Sequence, residues 1–414
     1  MEEEKTPDTA PLIPKPAKKR GQPSASEEGA SPYPEMSLAQ DIHKLVVKAP
    51  GIDAAFQARV FEKIATELEN PSLYKSLQTS LGGGGTLSEA ALKEMEDKHA
   101  KHMEELEAKV EDAKENMGDM EVMDARVNIA RFAAKALTKD EALEAYQKLL
   151  DLSKVSSGKK IDAMMESSRV ASFYGDEKKS AGFIESAQKL ATEGGGGDWD
   201  RRNRLKVYRG LARLLERDIK TAASLLIDCI ATFSCNEICS YSDFIVYAIM
   251  SNLLSLPRPQ IKSKLLDGPE VLSVATDIPQ VMNLIKSLYD CDYKAYLHAM
   301  VEVEPVLKSD RYLQPHLDYW MRELHILAYK QFLDSYQSVT LQAMADAFGV
   351  STDFIDHHAS QFIAAGRLSA KIDKYGGVVV TNRPDLKNAQ YREMIQKGDV
   401  LLNRIQKLAR VVDL

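Results

Sequence analysis

Apolar positions recur at helical spacing along most of the chain. Between Met36 and about Leu81, the residues Ala54, Phe56, Val60, Phe61, Ile64 and Leu68 lay down one apolar stripe, which predicts short helices that end at the run Gly82 to Gly85. Residues 86 to 121 are highly charged. Leu92, His99, Met103, Leu106, Val110, Ala113, Met117 and Met120 recur there, in alternating steps of four and three from His99 onward. That spacing predicts a long acidic helix with a heptad seam, whose charged side is either a solvated face or a groove for a partner helix.

The next stretch repeats. Asp140 to Tyr146, Asp176 to Gly182 and Asp218 to Ser224 each follow one apolar helix and open another with small residues in its first turns, at spacings of 36 and 42 residues. The period of a tetratricopeptide repeat is about 34 residues, so this reads as an irregular α-solenoid of similar helical hairpins. Small residues let paired helices approach closely, and each Asp is placed to cap the second helix. A second run, Gly194 to Gly197, interrupts the array before Asp198-Trp-Asp-Arg-Arg-Asn-Arg-Leu-Lys-Val-Tyr208. Helices resume after Pro257 and Pro259, over Val271 to Tyr289, Tyr293 to Val306 and about Pro315 to Tyr336.

The pattern then changes. A helix is predicted from near Thr340 to Gly349, where glycine suits a left-handed turn, and Ser351 is placed to cap a second helix through Ala365. Two short strands follow, Leu368 to Asp373 and Val378 to Thr381, around a turn containing Gly376 and Gly377. Helix, turn, helix and hairpin make a winged-helix module. A final helix from about Asn388 to Val412 places Tyr391, Met394, Gly398, Leu401, Ile405, Leu408 and Val412 on one heptad stripe, with Lys397, Arg404, Lys407 and Arg410 on the remaining surface. Such a stripe needs a partner. It predicts docking into a bundle with other subunits, the alternative being packing back on the chain's own winged helix.

Composition agrees with a mostly α fold. Seven of the 16 prolines lie in residues 1 to 35, and none falls in the 185 residues between Pro71 and Pro257. Proline costs about 3 kcal/mol inside a helix, so the gap favours stacked helices. Residues 1 to 35 are rich in Pro, Ser, Glu and Lys with little to bury, and read as a disordered tail. Within it Lys15, Lys18, Lys19 and Arg20 form a basic cluster, either an import signal or part of a solvated tail. The formal charge of −7 carries no overall basic footprint for nucleic acid, and no apolar run of membrane-spanning length or secretory signal is evident. Four cysteines make no disulfide framework, which points to a reducing cytosolic or nuclear setting.

Catalytic and cofactor signatures are missing. Cys229, Cys235 and Cys239 contain no zinc-type Cys-x-x-Cys pair and read as structural thiols, and His357 and His358 lack the register that puts two imidazoles on one helical face. His99 and His102 on the acidic helix are no more convincing as metal ligands. Neither glycine run ends in the Lys-Ser/Thr of a P-loop, and no nucleophile elbow, dinucleotide fingerprint or kinase signature occurs. No catalytic, metal or cofactor residues are therefore assigned. The second winged-helix helix offers Asp353 and Asp356 and no Lys or Arg, which disfavours reading of a DNA groove.

Solenoid, winged helix and terminal helix in this order resemble the PCI family, shared by the proteasome lid, the signalosome and a translation initiation factor. The wording of Asp198 to Tyr208, Ala347-Phe-Gly-Val350, Phe362 to Leu368, Lys371-Ile-Asp373, Thr381-Asn-Arg-Pro-Asp385 and Lys397 to Arg404 is similar to that of PCI subunits of the proteasome regulatory-particle lid. The resemblance covers roughly residues 36 to 414. It implies a non-catalytic scaffold, with the segment from Thr340 to Thr381 as a lateral contact to other PCI-type lid subunits. Met394, Leu401, Ile405, Leu408 and Val412 would then contact the subunit bundle, and the ATPase ring and core particle would be partners in the full assembly. It further implies a role in ubiquitin-dependent degradation in cytoplasm and nucleus, with no direct nucleic-acid or membrane partner. The alternatives are the homologous signalosome scaffold and a nucleic-acid-binding winged-helix protein that uses its basic C-terminal face. The expected organisation is a tail over 1–35, a helical arm over 36–121, a solenoid over 122–337, a winged helix over 338–385 and a bundle helix over 386–414.

Overall fold

A computed structural model describes residues 33–49, 52–81, 83, 87–116, 118–152, 155–193, 198–382 and 386–412. The basic cluster from Lys15 to Arg20, most of the first tetraglycine run, all of the second and Met117 lie outside the described residues. The arm begins with α1 (Met36–Val47), α2 (Ala54–Lys63), which a π-helical turn extends to Leu68, and α3 (Pro71–Leu81). Pro71 starts α3 at a position whose N–H has no helical partner in any case. Beside it, Asn70 accepts from the Leu73 amide at 2.9 Å and donates to the Leu137 carbonyl at 3.1 Å, so one side chain caps α3 and ties it to the solenoid.

The acidic helix is α4 (Glu89–Asn116), followed by α5 (Asp119–Ala136). Leu92, His99, Val110 and Ala113 are buried along the expected seam, with Met103 and Leu106 half-buried. Met120 departs from it. Gly118 is extended and begins a new helix, so Met120 belongs to α5 and stays exposed, and the arm–solenoid boundary placed at 121/122 falls inside that helix.

Hairpins follow: α5 with α6 (Lys139–Leu150), α7 (Ser157–Phe173) with α8 (Glu177–Glu193), and α9 (Trp199–Leu215) with α10 (Ile219–Asp228). Small residues hold them close. Ala133 and Ala142 are buried in the first pair, the hydroxyls of Ser168 and Ser180 are 2.8 Å apart in the second, and a Cβ at Gly210 would meet Leu226 Cδ2 at 2.8 Å in the third. Asp176 and Asp218 cap their helices as expected, accepting from the amides of Lys179 and Thr221, both at 3.3 Å. In the first hairpin the cap is Thr138 instead, in a capping box with Glu141, and Asp140 lies in the first turn where it complements the helix dipole. Buried Glu166 on α7 joins three helices, accepting from Arg131 at 2.9 Å and from the Tyr146 hydroxyl at 3.0 Å.

The array continues through α11 (Tyr241–Ser255), the short α12 (Arg258–Ile261) and α13 (Pro269–Leu272), then α14 (Pro279–Asp290), α15 (Tyr293–Ser309) and α16 (Leu317–Leu333). The single helix expected over Val271 to Tyr289 is broken after Leu272. Pro279 disfavours a helical Ile278, whose ψ is 51°, and opens α14 instead. At the end lie β1 (Ser338–Thr340), α17 (Leu341–Phe348), α18 (Thr352–Ala364), β2 (Ala370–Asp373), β3 (Val378–Thr381) and α19 (Leu386–Val412). The antiparallel sheet has the order β1-β3-β2, with Val339 opposite Val379 and Ile372 opposite Val379 on the other side. β1 extends the hairpin expected from the sequence into a three-stranded sheet.

Three apolar cores form: one within α1–α4, one within α5–α7, and a large one running from Ile161 to Val379. The arm does not trail from the end of the stack. α1 lies against α7 and α15, and buried Asp310 beyond α15 accepts from Gln40 Nε2 at 2.7 Å and from the Tyr247 hydroxyl at 2.6 Å. The amides of Tyr312 and Leu313 also donate to it, at 2.8 and 3.1 Å, while the Arg311 amide donates to Gln40 and its guanidinium to the Ser172 carbonyl. Burial raises the Asp310 pKa, against the pull of these donors. Removing a buried acceptor strands its donors at about 1–3 kcal/mol each. Asp310→Ala should therefore speed hydrogen exchange of the Leu38 to Leu45 amides by about a hundredfold, equivalent to roughly 3 kcal/mol, while those of α18 change little. Equal exchange in the two proteins would show that α1 is held by other contacts.

Candidate protein-interaction site

The winged helix is assembled from local signals. Thr340 Oγ1 accepts from the Ala343 amide at 3.2 Å to start α17, and Ser351 Oγ from the Phe354 amide at 3.3 Å to start α18. Between them Gly349 sits at φ +68°, and a Cβ there would lie 2.9 Å from Lys294 Cγ, so both conformation and the approach of α15 require glycine. Phe348, Ile355, Phe362, Leu368 and Val379 are buried inside the module.

An aromatic nest joins the module to the last solenoid helices. Phe348 meets Tyr329 at 5.0 Å edge-on, Tyr293 at 4.9 Å and Phe332 at 5.5 Å, counted between ring centroids. His358 lies 4.7 Å from His325 and 4.5 Å from Phe362, and its Nδ1 is hydrogen-bonded to the Tyr329 hydroxyl at 3.1 Å. Arg367, just after α18, pairs with Glu323 on α16. The winged helix is thus packed against the stack, and its exposed side is left for other contacts: Phe354 on α18, Val380 on β3 and Tyr375 at the wing tip.

The five residues marked by the heptad stripe lie on α19, all exposed: Met394 69%, Leu401 59%, Ile405 53%, Leu408 63% and Val412 75%. Every described side chain of this helix is exposed, so α19 does not fold back on its own winged helix. The apolar surface is wider than the stripe. Ile395 and Leu402, each one position after a stripe residue, are also more than half exposed and broaden it to a face suited to several neighbours rather than one. A three-in-seven count would have found them. Gly398, on the stripe, meets no atom within 4 Å in a regular helix where glycine costs about 1 kcal/mol, which suits close approach of a neighbouring helix.

The charged motif Asp198 to Tyr208 is structural. Arg201 grips Asp162 on α7 at 2.9–3.1 Å, and Arg204 binds Glu237 at 2.7 Å with both side chains nearly buried. Cys229 and Cys235 donate to the carbonyls of Asn203 and Arg204, and burial pushes the Cys229 thiol up to about 11 and raises those of Cys235 and Cys239 further from reactivity. His99 and His102 both pack edge-on against Phe132. Among the described residues no cluster of His, Cys, Asp and Glu could hold a metal ion, and no helix is long and apolar enough to cross a membrane.

Comparison with known proteins gives a consistent picture. The model for the 26S proteasome subunit RPN7 matches residues 88–264, that for the PCI domain 294–383, and that for the RPN7/PSMD6 C-terminal helix 390–412. The 26S proteasome non-ATPase regulatory subunit 6 of Oryza sativa is 42% identical over 391 residues, 94% of this chain and 98% of the relative. The homologue of that subunit from Arabidopsis thaliana is 45% identical over 328 residues, 79% of this chain and 84% of its own. COP9 signalosome complex subunit 1 of the same plant is more distant, at 26% over 198 residues, 47% of this chain and 45% of its own.

The nest carries a pH dependence. Burial, then the nearby His325 and His357, lowers the His358 pKa to about 4, and burial lowers that of His325. Both imidazoles are neutral when packed. The unfolded chain takes up these protons first, near pH 6.5, so stability is full above that value and is lost as pH falls towards 4. The thermal midpoint should drop between pH 7 and pH 5, and drop less in His358→Phe; parallel pH profiles would exclude this imidazole as the cause.

Proposed function

This chain belongs to the RPN7 family of 26S proteasome regulatory subunits, and from that membership we propose that it works as a non-catalytic scaffold of the proteasome lid in ubiquitin-dependent protein degradation. The reading is carried by one observation. A regular helix of 27 residues at the chain terminus presents a continuous apolar face to solvent, in the segment matched by the family's C-terminal helix model. Large apolar patches left open on a soluble subunit are sites of association.

In this reading Met394, Leu401, Ile405, Leu408 and Val412 dock among the terminal helices of other PCI-type lid subunits. The winged helix, braced on the solenoid by the Tyr329, Phe348 and His358 nest, offers the lateral contact between Thr340 and Thr381. The relatives' names, non-ATPase regulatory subunits, support a role without chemistry of its own, and the cytoplasm and nucleus are the compartments that fit it. The signalosome reading has less support, since that relative matches under half of the chain. A nucleic-acid role would rely on Lys397, Arg404, Lys407 and Arg410, because α18 carries no Lys or Arg.

Each apolar side chain buried in such a bundle contributes about 1.5–3 kcal/mol, and a carboxylate in its place must be desolvated. Leu401→Asp combined with Ile405→Asp should leave helical content and melting unchanged, because neither side chain is packed in the isolated chain. It should nevertheless exclude the protein from lid and proteasome particles purified through another lid subunit. Normal incorporation of the double variant would defeat the assignment of this face. Recovery of the wild-type chain with signalosome subunits alone would replace the proteasome with that complex.

A further inference from the structure

Charge is distributed unevenly around the apolar face of α19. From Leu408 to Ile395 that face spans about 140° at about 100° per residue, wider than the seam of a two-stranded coil, so helices of more than one neighbour line it. Its two edges differ. Lys397 and Arg404, seven positions apart, lie just beyond Leu408, whereas Gln406 and Asp399 lie just beyond Ile395. All four side chains are exposed. Positions that border an apolar seam are those where charges on adjoining helices meet and select the partner.

The two cations are not equivalent. Lys397 is held by Glu393, one turn earlier, at 2.6 Å. Three and four positions to either side of Arg404 stand Val400, Leu401, Lys407 and Leu408, so no carboxylate of its own helix can reach it. From Val400 to Val412 the helix holds Arg404, Lys407 and Arg410 and neither Asp nor Glu. The helix dipole accounts for Arg410, which lies in the last turn, but its influence ends there and Arg404 stands about two turns before the end. A guanidinium left without a counter-charge at the border of an apolar face is placed for a carboxylate that arrives with the neighbour.

Resting on the reading of α19 as a bundle helix, we propose that the helix packed along the Lys397 and Arg404 edge belongs to a neighbouring subunit whose own edge is acidic, with a carboxylate opposite Arg404. Arg404 thereby sets which neighbour occupies which side of α19. An acidic helix laid on the other edge meets Asp399, a like charge, so the wrong order is disfavoured as well as the right one favoured. The aliphatic stem of Arg404 lies over the rim of the apolar contact while its head reaches the partner, which makes the pair a guide to placement and leaves the bulk of the affinity to the apolar face. A nucleic-acid strand would instead draw on Arg404 and Arg410 alike and would have no use for the apolar face.

The test uses full-length chain in lid particles purified through another lid subunit. Zero-length carbodiimide crosslinking of particles carrying Arg404→Lys should join the introduced amine to a Glu or Asp in a helix of an adjacent subunit, and the linked peptide identifies that neighbour. In competition with the wild-type chain for incorporation, Arg404→Glu should be taken up about tenfold less, and both Arg404→Lys and Arg410→Glu, the latter on the back of the helix, within about twofold of wild type. These positions are exposed on a regular helix, so circular dichroism should match that of the wild-type chain. Three results overturn the proposal: no link from position 404 to a neighbouring carboxylate, uptake of Arg404→Glu equal to wild type, or equal losses in Arg404→Glu and Arg410→Glu, which would assign the charge to a polyanion such as nucleic acid. Exclusion of Leu401→Asp/Ile405→Asp with normal uptake of Arg404→Glu removes this inference and leaves the bundle reading in place, whereas normal uptake of both removes both.

Discussion

A stack of helical hairpins has two apolar ends, and neither can be left in water without cost. The C-terminal end of this stack is closed by Phe348 of the winged helix, whose ring sits among Tyr293, Tyr329 and Phe332. Everything downstream depends on that closure. It sets where the three-stranded sheet lies, which side of α18 faces outward and where α19 departs. A cap that is itself a small folded module does what a terminal capping helix does in simpler repeats, and presents an oriented surface as well.

Polar residues inside the stack serve specificity of arrangement more than chemistry. Glu166 holds three helices through Arg131 and Tyr146, Glu237 receives Arg204 and the Tyr208 hydroxyl, and Asp310 collects two side-chain and two backbone donors. Glu166 and Asp310 are buried and Glu237 is half-buried, and each accepts from side chains of other elements. Misplaced hairpins would leave such groups without donors, so the carboxylates select one stacking register. A motif dense in Asp and Arg, such as Asp198 to Tyr208, can therefore look like a site in sequence and prove to be a joint.

What was legible in the sequence is what local rules decide. The caps at Thr340 and Ser351, the left-handed Gly349, the hairpin around Gly376 and Gly377 and the stripe on α19 follow from residues within a few positions of one another. The strand Ser338–Thr340 was not legible, because three residues carry no periodicity and the pairing is with Val378–Val380, forty positions on. Nor was the docking of α1, which rests on Gln40 meeting a carboxylate late in the chain. The break at Pro279 had a signal in the proline itself, outweighed by the apolar run around it. On α19 a strict heptad omits Ile395 and Leu402, which are apolar and exposed beside the stripe.

Gln40 and Asp310 are 270 residues apart in the chain. At a synthesis rate of about 5–20 residues per second, the first helix leaves the ribosome roughly 15–50 s before its acceptor exists. Leu38 and Leu45 can enter the small core of the arm meanwhile, but the polar side of α1 has nothing to bind until α15 is complete. α1 is thus made first, and its polar side is fastened last. A nascent chain interrupted before residue 310 would carry α1 with its apolar side in the arm core and Gln40 without its carboxylate partner.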